Sequence, residues 1–131
     1  MIFVDTSAFF AVLSTSDANH PRASSCWRNV LAEGQTLLTD SYVLVESIAV
    51  IQKRLGLEKV RCFSEKILPL VKIEWVDETH HKTAMKAALI ANRRNLSLVD
   101  CSAFETMRRL GIQSIFTFDE HFRERGYEVI P

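Results

Sequence analysis

Short apolar runs alternate with longer amphipathic segments along the chain, and this alternation predicts strands separated by helices. The apolar runs predict five strands, at residues 2–4, 36–39, 71–76, 114–118 and 127–130. Apolar residues at i, i+3 and i+4 spacing, with capping and breaking residues, predict helices at 6–13, 21–32, 41–55, 58–68, 79–93, 98–110 and 120–125.

Strands that alternate with helices indicate an α/β fold, in which helices cover both faces of a parallel sheet. We expect one domain over residues 1–131, with no linker or internal repeat. In such sheets, ligands bind beyond the carboxyl ends of the strands, near the point where the strand order reverses. The residues that directly follow the strands are therefore the first candidates for a functional site.

Composition and charge exclude several classes of protein. The 131 residues are 47% hydrophobic and 24% charged, which is typical of a globular chain and not of a disordered one. Sixteen basic residues balance sixteen acidic ones, so bulk positive charge cannot be what holds a nucleic acid. Three widely spaced cysteines exclude a disulfide framework and a zinc knuckle. The chain shows no basic signal region and no apolar run of about 18 residues, so we expect a cytoplasmic protein.

Two acids follow predicted strands. Asp5 comes directly after the first strand, and Asp119 directly after the fourth. Both side chains are expected at the carboxyl edge of the sheet, although either acid alone is also a common helix cap.

Two further acids lie in the first turns of helices. Glu46 occupies a helix that is apolar on almost every side, where an unpaired carboxylate needs either a cation or a wet cleft. Asp100 fits a capping box with Ser97, and a first-turn side chain at this edge also points toward the crevice. A salt bridge remains the alternative for Glu46, and a purely capping role remains the alternative for Asp100.

Together the four acids predict a metal site. Four carboxylates in one crevice repel each other unless a cation neutralises them. An oxygen-only ligand set without nearby His or Cys favours Mg²⁺, or alternatively Mn²⁺, over zinc. Such a site is suited to attack on phosphates.

The chain resembles the PIN-domain ribonucleases, and most closely the VapC toxins of bacterial toxin–antitoxin pairs. The resemblance spans essentially the whole chain, and all four acidic positions of the family pattern are filled. It rests on the segments Val4-Asp5-Thr6-Ser7-Ala8, Leu44-Val45-Glu46, Leu98-Val99-Asp100-Cys101-Ser102-Ala103 and Phe116-Thr117-Phe118-Asp119-Glu120-His121-Phe122.

The resemblance implies a PIN fold with a parallel sheet in strand order 3-2-1-4-5. It also implies an endoribonuclease that requires Mg²⁺ or Mn²⁺ and leaves a 5′-phosphate and a 3′-hydroxyl. A cognate antitoxin is the implied partner, and homodimers are frequent in such a family. The RNA itself is left open, since transfer RNA and ribosomal loops are both compatible.

Within this hypothesis each acid receives a role. Asp5 and Asp100 contact the metal directly, Asp119 completes or supports that site, and Glu46 orients the attacking water or a second ion. The hydroxyls of Thr6 and Thr117 are candidates to hold a water or the scissile phosphate. His121 is a weaker candidate for a phosphate contact.

Other functions remain open from the sequence. A haloacid-dehalogenase phosphatase needs a second Asp two positions after the first, where this chain has Ser7. A catalytically inactive PIN-like binding module would keep its acids as caps. A stand-alone RNA-processing nuclease and a DNA-directed nuclease are further alternatives, although the chain is short for the elements that position branched DNA.

Two surface features bear on partners. Without the four site acids, sixteen basic residues face twelve acidic ones, and Arg93, Arg94, Arg108, Arg109, Arg123 and Arg125 are the candidate phosphate contacts. The helices at 6–13 and 41–68 are rich in apolar residues. Core packing accounts for most of them, and the remainder could form a groove for an amphipathic antitoxin helix. The apolar residues considered are Phe9, Phe10, Val43, Ile48, Val50, Ile51, Leu55, Phe63 and Leu68.

Overall fold

The computed structural model describes residues 1–131 and contains one five-stranded sheet, in which every strand pair is parallel. The strand order is β3-β2-β1-β4-β5, which confirms the predicted α/β class and order. The strands are β1 Ile2–Val4, β2 Leu37–Asp40, β3 Val71–Glu74, β4 Ser114–Phe116 and β5 Glu128–Ile130.

Seven helices connect the strands, close to the predicted ranges. After Cys62 the helix widens into a π-helical turn at Phe63–Ile67 and then tightens into a 3₁₀ turn at Leu68–Leu70, so the single helix predicted at 58–68 is wrong. The helices are α1 Thr6–Leu13, α2 His20–Ala32, α3 Ser41–Leu55, α4 Leu57–Cys62, α5 Glu78–Ala91, α6 Leu98–Leu110 and α7 His121–Glu124.

The central strands are buried on both faces. Successive residues of β1 point to opposite faces, yet all three are buried, and Ile115 and Phe116 of β4 are also fully covered. Phe9 of α1 and Phe63 contact edge to face, with ring centroids 5.0 Å apart. This packing fixes the carboxyl ends of β1 and β4 side by side at the point where the strand order reverses.

Two strands end earlier than the sequence predicts. β3 ends at Glu74, and Trp75 beyond it is 70% exposed, so the strand predicted at 71–76 does not reach residue 76. β4 ends at Phe116, because the next residues turn away from the sheet. The amide of Asp119 donates to the Thr117 hydroxyl at 3.0 Å, and the amide of His121 donates to the Asp119 carboxylate at 2.9 Å.

A buried carboxylate ties three elements together. Asp40 is fully buried at the start of α3, where its Oδ1 accepts from the amides of Tyr42 and Val43 at 3.0 and 2.9 Å. Its Oδ2 accepts from the hydroxyls of Ser102 and Thr106, both on α6, at 2.9 and 2.8 Å. Four donors balance the buried charge, so Asp40 anchors the helix that carries Glu46 to the one that carries Asp100.

None of the helices has the length and apolar character required to cross a lipid bilayer.

Candidate metal centre

Asp5 lies at the carboxyl end of β1, directly beside β4. Its amide donates to the carbonyl of Phe116 at 3.0 Å, which fixes the residue at the switch point of the sheet. The side chain is only 6% exposed, and its Oδ2 accepts from the Thr117 hydroxyl at 2.8 Å and the Ser7 hydroxyl at 3.3 Å. Asp5 is the N-cap of α1 by backbone position, but its side chain makes no capping bond.

Asp100 lies in the first turn of α6 and takes part in the predicted capping box. The Ser97 hydroxyl accepts from the amide of Asp100, and Oδ2 of Asp100 accepts from the amide of Ser97, both at 3.0 Å. These bonds orient the carboxylate without enclosing it, so capping and a role in the crevice are compatible.

Asp119 and His121 bring a ring nitrogen to the acids. Nδ1 of His121 lies 3.1 Å from Oδ1 of Asp119 and 3.6 Å from Oδ2 of Asp100. One donor atom from each of these three residues lies within 4.8 Å of the other two. The expectation that no His lies near the acids is therefore wrong, because the imidazole of His121 stands beside two of the carboxylates.

Glu46 projects from α3 toward the same acids. It is half-buried and forms no ion pair, so it reaches the cleft rather than an arginine. It lines a shallow pocket of about 280 Å³ together with Thr6, Ser7, Phe10, Asp17, Asn19, Val50, Arg54 and Phe118.

The acids disturb each other's ionisation. Burial raises the pKa of Asp5 to about 7, opposed by the Thr117 hydroxyl and increased further by the charges of Asp100 and Asp119. Burial also raises the pKa of Asp100, and Asp119 adds to it. For Glu46, burial raises the pKa first and the charge of Asp100 adds to it. All four predicted acids therefore share one electrostatic environment that a cation would stabilise.

The two threonine hydroxyls are occupied within the protein. Thr117 donates to Asp5, and the Thr6 hydroxyl lies 3.0 Å from that of Ser47. Both residues are almost completely buried, although Thr6 lines the pocket that contains Glu46. Thr117 positions Asp5.

The arginine that lies beside the acids is not one of the six candidate phosphate contacts. Several candidate arginines are engaged by carboxylates: Arg108 with Glu105 at 2.6 Å, and Arg123 with Glu120 at 3.2 Å. Arg54 was missed. It stacks over Phe10 with its guanidinium carbon 4.3 Å from the ring centroid, in the pocket beside Glu46.

The sequence contains part of the information needed to place His121 and Arg54 at the site. The Asp-x-His spacing at residues 119–121 was visible, but the direction of the ring depends on the turn after β4. Arg54 lies eight residues after Glu46 on the same helix, and a spacing of about two turns places both on one face.

Comparisons with known proteins agree with this geometry. A family model described as "PIN domain" matches residues 2–126. The chain is 31% identical, over 100% of its length and 99% of the relative, to the 23S rRNA-specific endonuclease VapC20 of Mycobacterium tuberculosis. The crystal structure of that VapC20, a sarcin–ricin loop cleaving toxin, superposes with a TM-score of 0.88 and 29% identity over 100% of both chains.

Two more distant structures share the fold alone. FitAcB from Neisseria gonorrhoeae has a TM-score of 0.71 at 17% identity, over 100% of this chain and 97% of that one. VapBC2 from Rickettsia felis, bound to a DNA fragment from their promoter, has a TM-score of 0.71 at 12% identity, over 98% and 97%.

Proposed function

The chain belongs to the PIN domain family, and on that premise we propose that it is a metal-dependent endoribonuclease that acts as the toxin of a toxin–antitoxin pair. The single observation that carries the proposal is the convergence of Asp5, Glu46, Asp100 and Asp119 at the carboxyl edge of the sheet. The full-length similarity to an RNA endonuclease supports the same activity.

The residues present fit a divalent cation. The pKa values of Asp5, Glu46 and Asp100 are raised by burial and by the neighbouring acids. The protein itself therefore does not supply enough positive charge near these carboxylates to stabilise their ionised forms. Nδ1 of His121 is buried without a hydrogen-bond partner beside them. When bound, Mg²⁺ or Mn²⁺ supplies a Lewis acid that activates water and stabilises charge on the phosphate.

The acids divide the work by position. Asp5 and Asp100 hold the metal, one from a strand end and one from the first turn of α6, and Asp119 completes the site. Glu46 orients the attacking water, because it reaches the crevice from the opposite helix, α3. The water oxygen bonds to phosphorus as the bond between phosphorus and the 3′ oxygen breaks. The attacking water loses one proton and the leaving 3′ oxygen gains one, which leaves a 5′-phosphate and a 3′-hydroxyl.

The substrate we propose is 23S ribosomal RNA. VapC20 is named for that specificity, and it aligns with this chain over its full length. Arg54, held over the ring of Phe10, offers a positive charge in the pocket that contains Glu46, where we propose that the RNA backbone binds.

Sequencing of cleavage ends tests the proposed activity. Purified protein is incubated with ribosomes and with total RNA, and the new 5′-phosphate ends are mapped. We expect one dominant site in 23S rRNA, no cleavage after removal of divalent ions with EDTA, and no cleavage of a DNA hairpin of the same sequence. Cleavage of the DNA alone would favour the DNA-directed alternative, and intact RNA in every sample would favour the inactive binding module.

An antitoxin is the proposed partner. Five of the nine apolar residues considered for a groove are in the core, but Val50 and Phe118 remain partly accessible in the pocket that contains Glu46. An antitoxin helix seated there can place an arginine against the carboxylates, in competition with the metal. Co-expression with the neighbouring small open reading frame should restore growth and yield a complex whose inhibition weakens as Mg²⁺ rises. Normal growth without the neighbour would contradict the toxin role.

A homodimer is proposed from the exposed face of α5. Met85, Leu89 and Ile90 share this face, and the last two are 72% and 73% exposed. Sedimentation of the wild type should give the dimer mass, and Leu89→Lys should give the monomer; equal masses would contradict this interface.

A further inference from the structure

We propose that Nδ1 of His121 is itself a ligand of the metal ion, which makes the centre a mixed carboxylate–imidazole site that prefers Mn²⁺ to Mg²⁺. The inference rests on the proposed function, since it concerns the same site. It adds a nitrogen ligand to the four carboxylates and gives the site a metal preference.

The ring nitrogen is buried and has no hydrogen-bond partner. The side chain of His121 is 14% exposed, and its Nδ1 atom is inaccessible to solvent. Although Oδ1 of Asp119 lies 3.1 Å away, the ring is not directed for a hydrogen bond to it. Nearly all buried polar atoms in proteins are bonded, so an unpaired nitrogen beside two carboxylates indicates a missing group.

The distances match a coordination sphere. For an ion with ligand bonds of about 2.1 Å, neighbouring ligands of an octahedron lie about 3 Å apart. Nδ1 lies 3.1 Å from the Asp119 oxygen and 3.6 Å from the Asp100 oxygen, so an ion can be accommodated with small side-chain movements.

The local backbone places the ring in advance. The amide of His121 donates to Oδ1 of Asp119 at 2.9 Å, which fixes the turn that precedes α7. The next residue, Phe122, is fully buried and packs against Phe104 of α6, with ring centroids 4.8 Å apart. Asp100 lies on α6 with Phe104, and His121 lies on α7 with Phe122. The contact between the two phenylalanine rings therefore fixes His121 relative to Asp100.

Ligand chemistry gives the metal preference. Mg²⁺ binds oxygen ligands and is rarely held by imidazole, whereas nitrogen ligands strengthen binding of first-row transition ions. Replacing His121 by an oxygen ligand should therefore weaken Mn²⁺ binding far more than Mg²⁺ binding.

Electron spin-echo spectroscopy of bound Mn²⁺ tests the inference without relying on activity. Wild-type protein with one equivalent of Mn²⁺ should show ¹⁴N modulation from an imidazole, and labelling with ¹⁵N-histidine should convert it to the ¹⁵N pattern. This experiment needs no variant, so a folding defect cannot obscure it.

Variants then identify the residue and the preference. In His121→Asn the nitrogen modulation should disappear and the Kd for Mn²⁺, measured by calorimetry, should rise about tenfold or more, with a change in the Kd for Mg²⁺ of less than about threefold. Glu120→Gln, an exposed change in the same turn, should leave both constants unchanged.

The outcomes separate this inference from the proposed function. Mn²⁺ bound to the wild type without nitrogen modulation, in a protein that still cleaves RNA, overturns the role of His121 alone. A wild type that binds no divalent ion overturns both.

Discussion

Asp5 shows how one residue serves both the fold and the site. The end of β1 buries its carboxylate, and Thr117 and Ser7 supply hydroxyl donors, yet burial still raises its pKa to about 7. In the metal-free protein, Asp5 therefore holds a proton over a pH range in which it is ionised in the unfolded chain.

This shift predicts a pH-dependent stability. The pKa of Asp5 is raised from 3.8 to about 7, so the folded protein holds the Asp5 proton more tightly than the unfolded chain does. The stability that protonated Asp5 contributes to the free energy of unfolding is fully present below pH 3.8 and is lost as the pH rises through about 7. At about 1.4 kcal/mol per pKa unit, metal-free Asp5→Asn should be more stable than the wild type at pH 8 by up to about 4 kcal/mol. The difference should vanish near pH 4.

Urea unfolding in EDTA between pH 4 and pH 8 measures this difference. Glu58→Gln, at an exposed surface position, serves as the control and should show no such trend. A stability difference for Asp5→Asn that does not change with pH would contradict the assigned pKa.

At the residue scale, the sequence predicted the acids better than their surroundings. Asp5 and Asp100 were found because their positions follow from where a strand ends and a helix begins. The hydrogen bond from Thr117 to Asp5 was not predicted, because it joins residues 112 positions apart. The place of the His121 ring beside Asp100 and Asp119 was not predicted either, because it depends on the turn after β4.

At the scale of elements, α3 and α6 must keep a fixed separation for Glu46 and Asp100 to act together. Asp40 provides this link through the Ser102 and Thr106 hydroxyls of α6. Asp40 also caps α3, and such a cap is a local signal in the sequence, whereas a bond across 66 residues is not.

Removal of one donor should therefore weaken the fold. Thr106→Val keeps the approximate shape of the side chain but leaves the buried Asp40 carboxylate with one donor fewer. We expect a loss of about 1–3 kcal/mol in the free energy of unfolding, measured with urea. The exposed Thr83→Val on α5 is the matched control, and equal stability of the two variants would contradict the role of the Asp40 link.

Element boundaries were predicted well where capping residues mark them and less well elsewhere. The capping box fixes the start of α6, and Gly111 adopts a positive φ of 67° at its end. No such signal marks the end of β4. Its last predicted residues, Thr117 and Phe118, are apolar or β-branched like a strand. The Thr117 amide still donates to the carbonyl of Ile130 on β5, but the Phe118 amide donates to the Ser7 hydroxyl at the site.

At the scale of the whole molecule, RNA has to approach a centre of four acids, which repels its phosphates, and nearby arginines have to offset that repulsion. The chain has no net charge, so phosphate binding depends on where the arginines lie. Arg54, stacked on Phe10 beside Glu46, is the arginine placed to hold the strand at the centre.

Salt dependence measures this contact. In a cleavage-deficient Asp100→Asn background, Arg54→Gln should weaken RNA binding and reduce the slope of log K against log salt by about 0.7–0.9, the value for one phosphate contact. Arg61→Gln, which removes an exposed arginine on the next helix, α4, is the control. An unchanged slope for Arg54→Gln would show that Arg54 does not bind phosphate.

The α/β fold could be predicted at this scale because alternation of strands and helices, with right-handed crossovers, leaves few arrangements of a parallel sheet. The strand order 3-2-1-4-5 came from the resemblance carried by the four acidic segments. Exposed apolar residues such as Leu89 could not be separated from the core by pattern alone, because α5 repeats apolar residues on more than one face.

The most direct test of the central claim compares cleavage of 23S rRNA by the wild type, Asp100→Asn, Glu46→Gln and the surface control Glu58→Gln, in Mn²⁺, in Mg²⁺ and in EDTA. We predict that wild type and control produce the same 5′-phosphate end only with a divalent ion, and that both site variants lose at least about a hundredfold in rate while unfolding cooperatively in urea. Cleavage by Asp100→Asn at the wild-type rate, or cleavage in EDTA, would contradict the account.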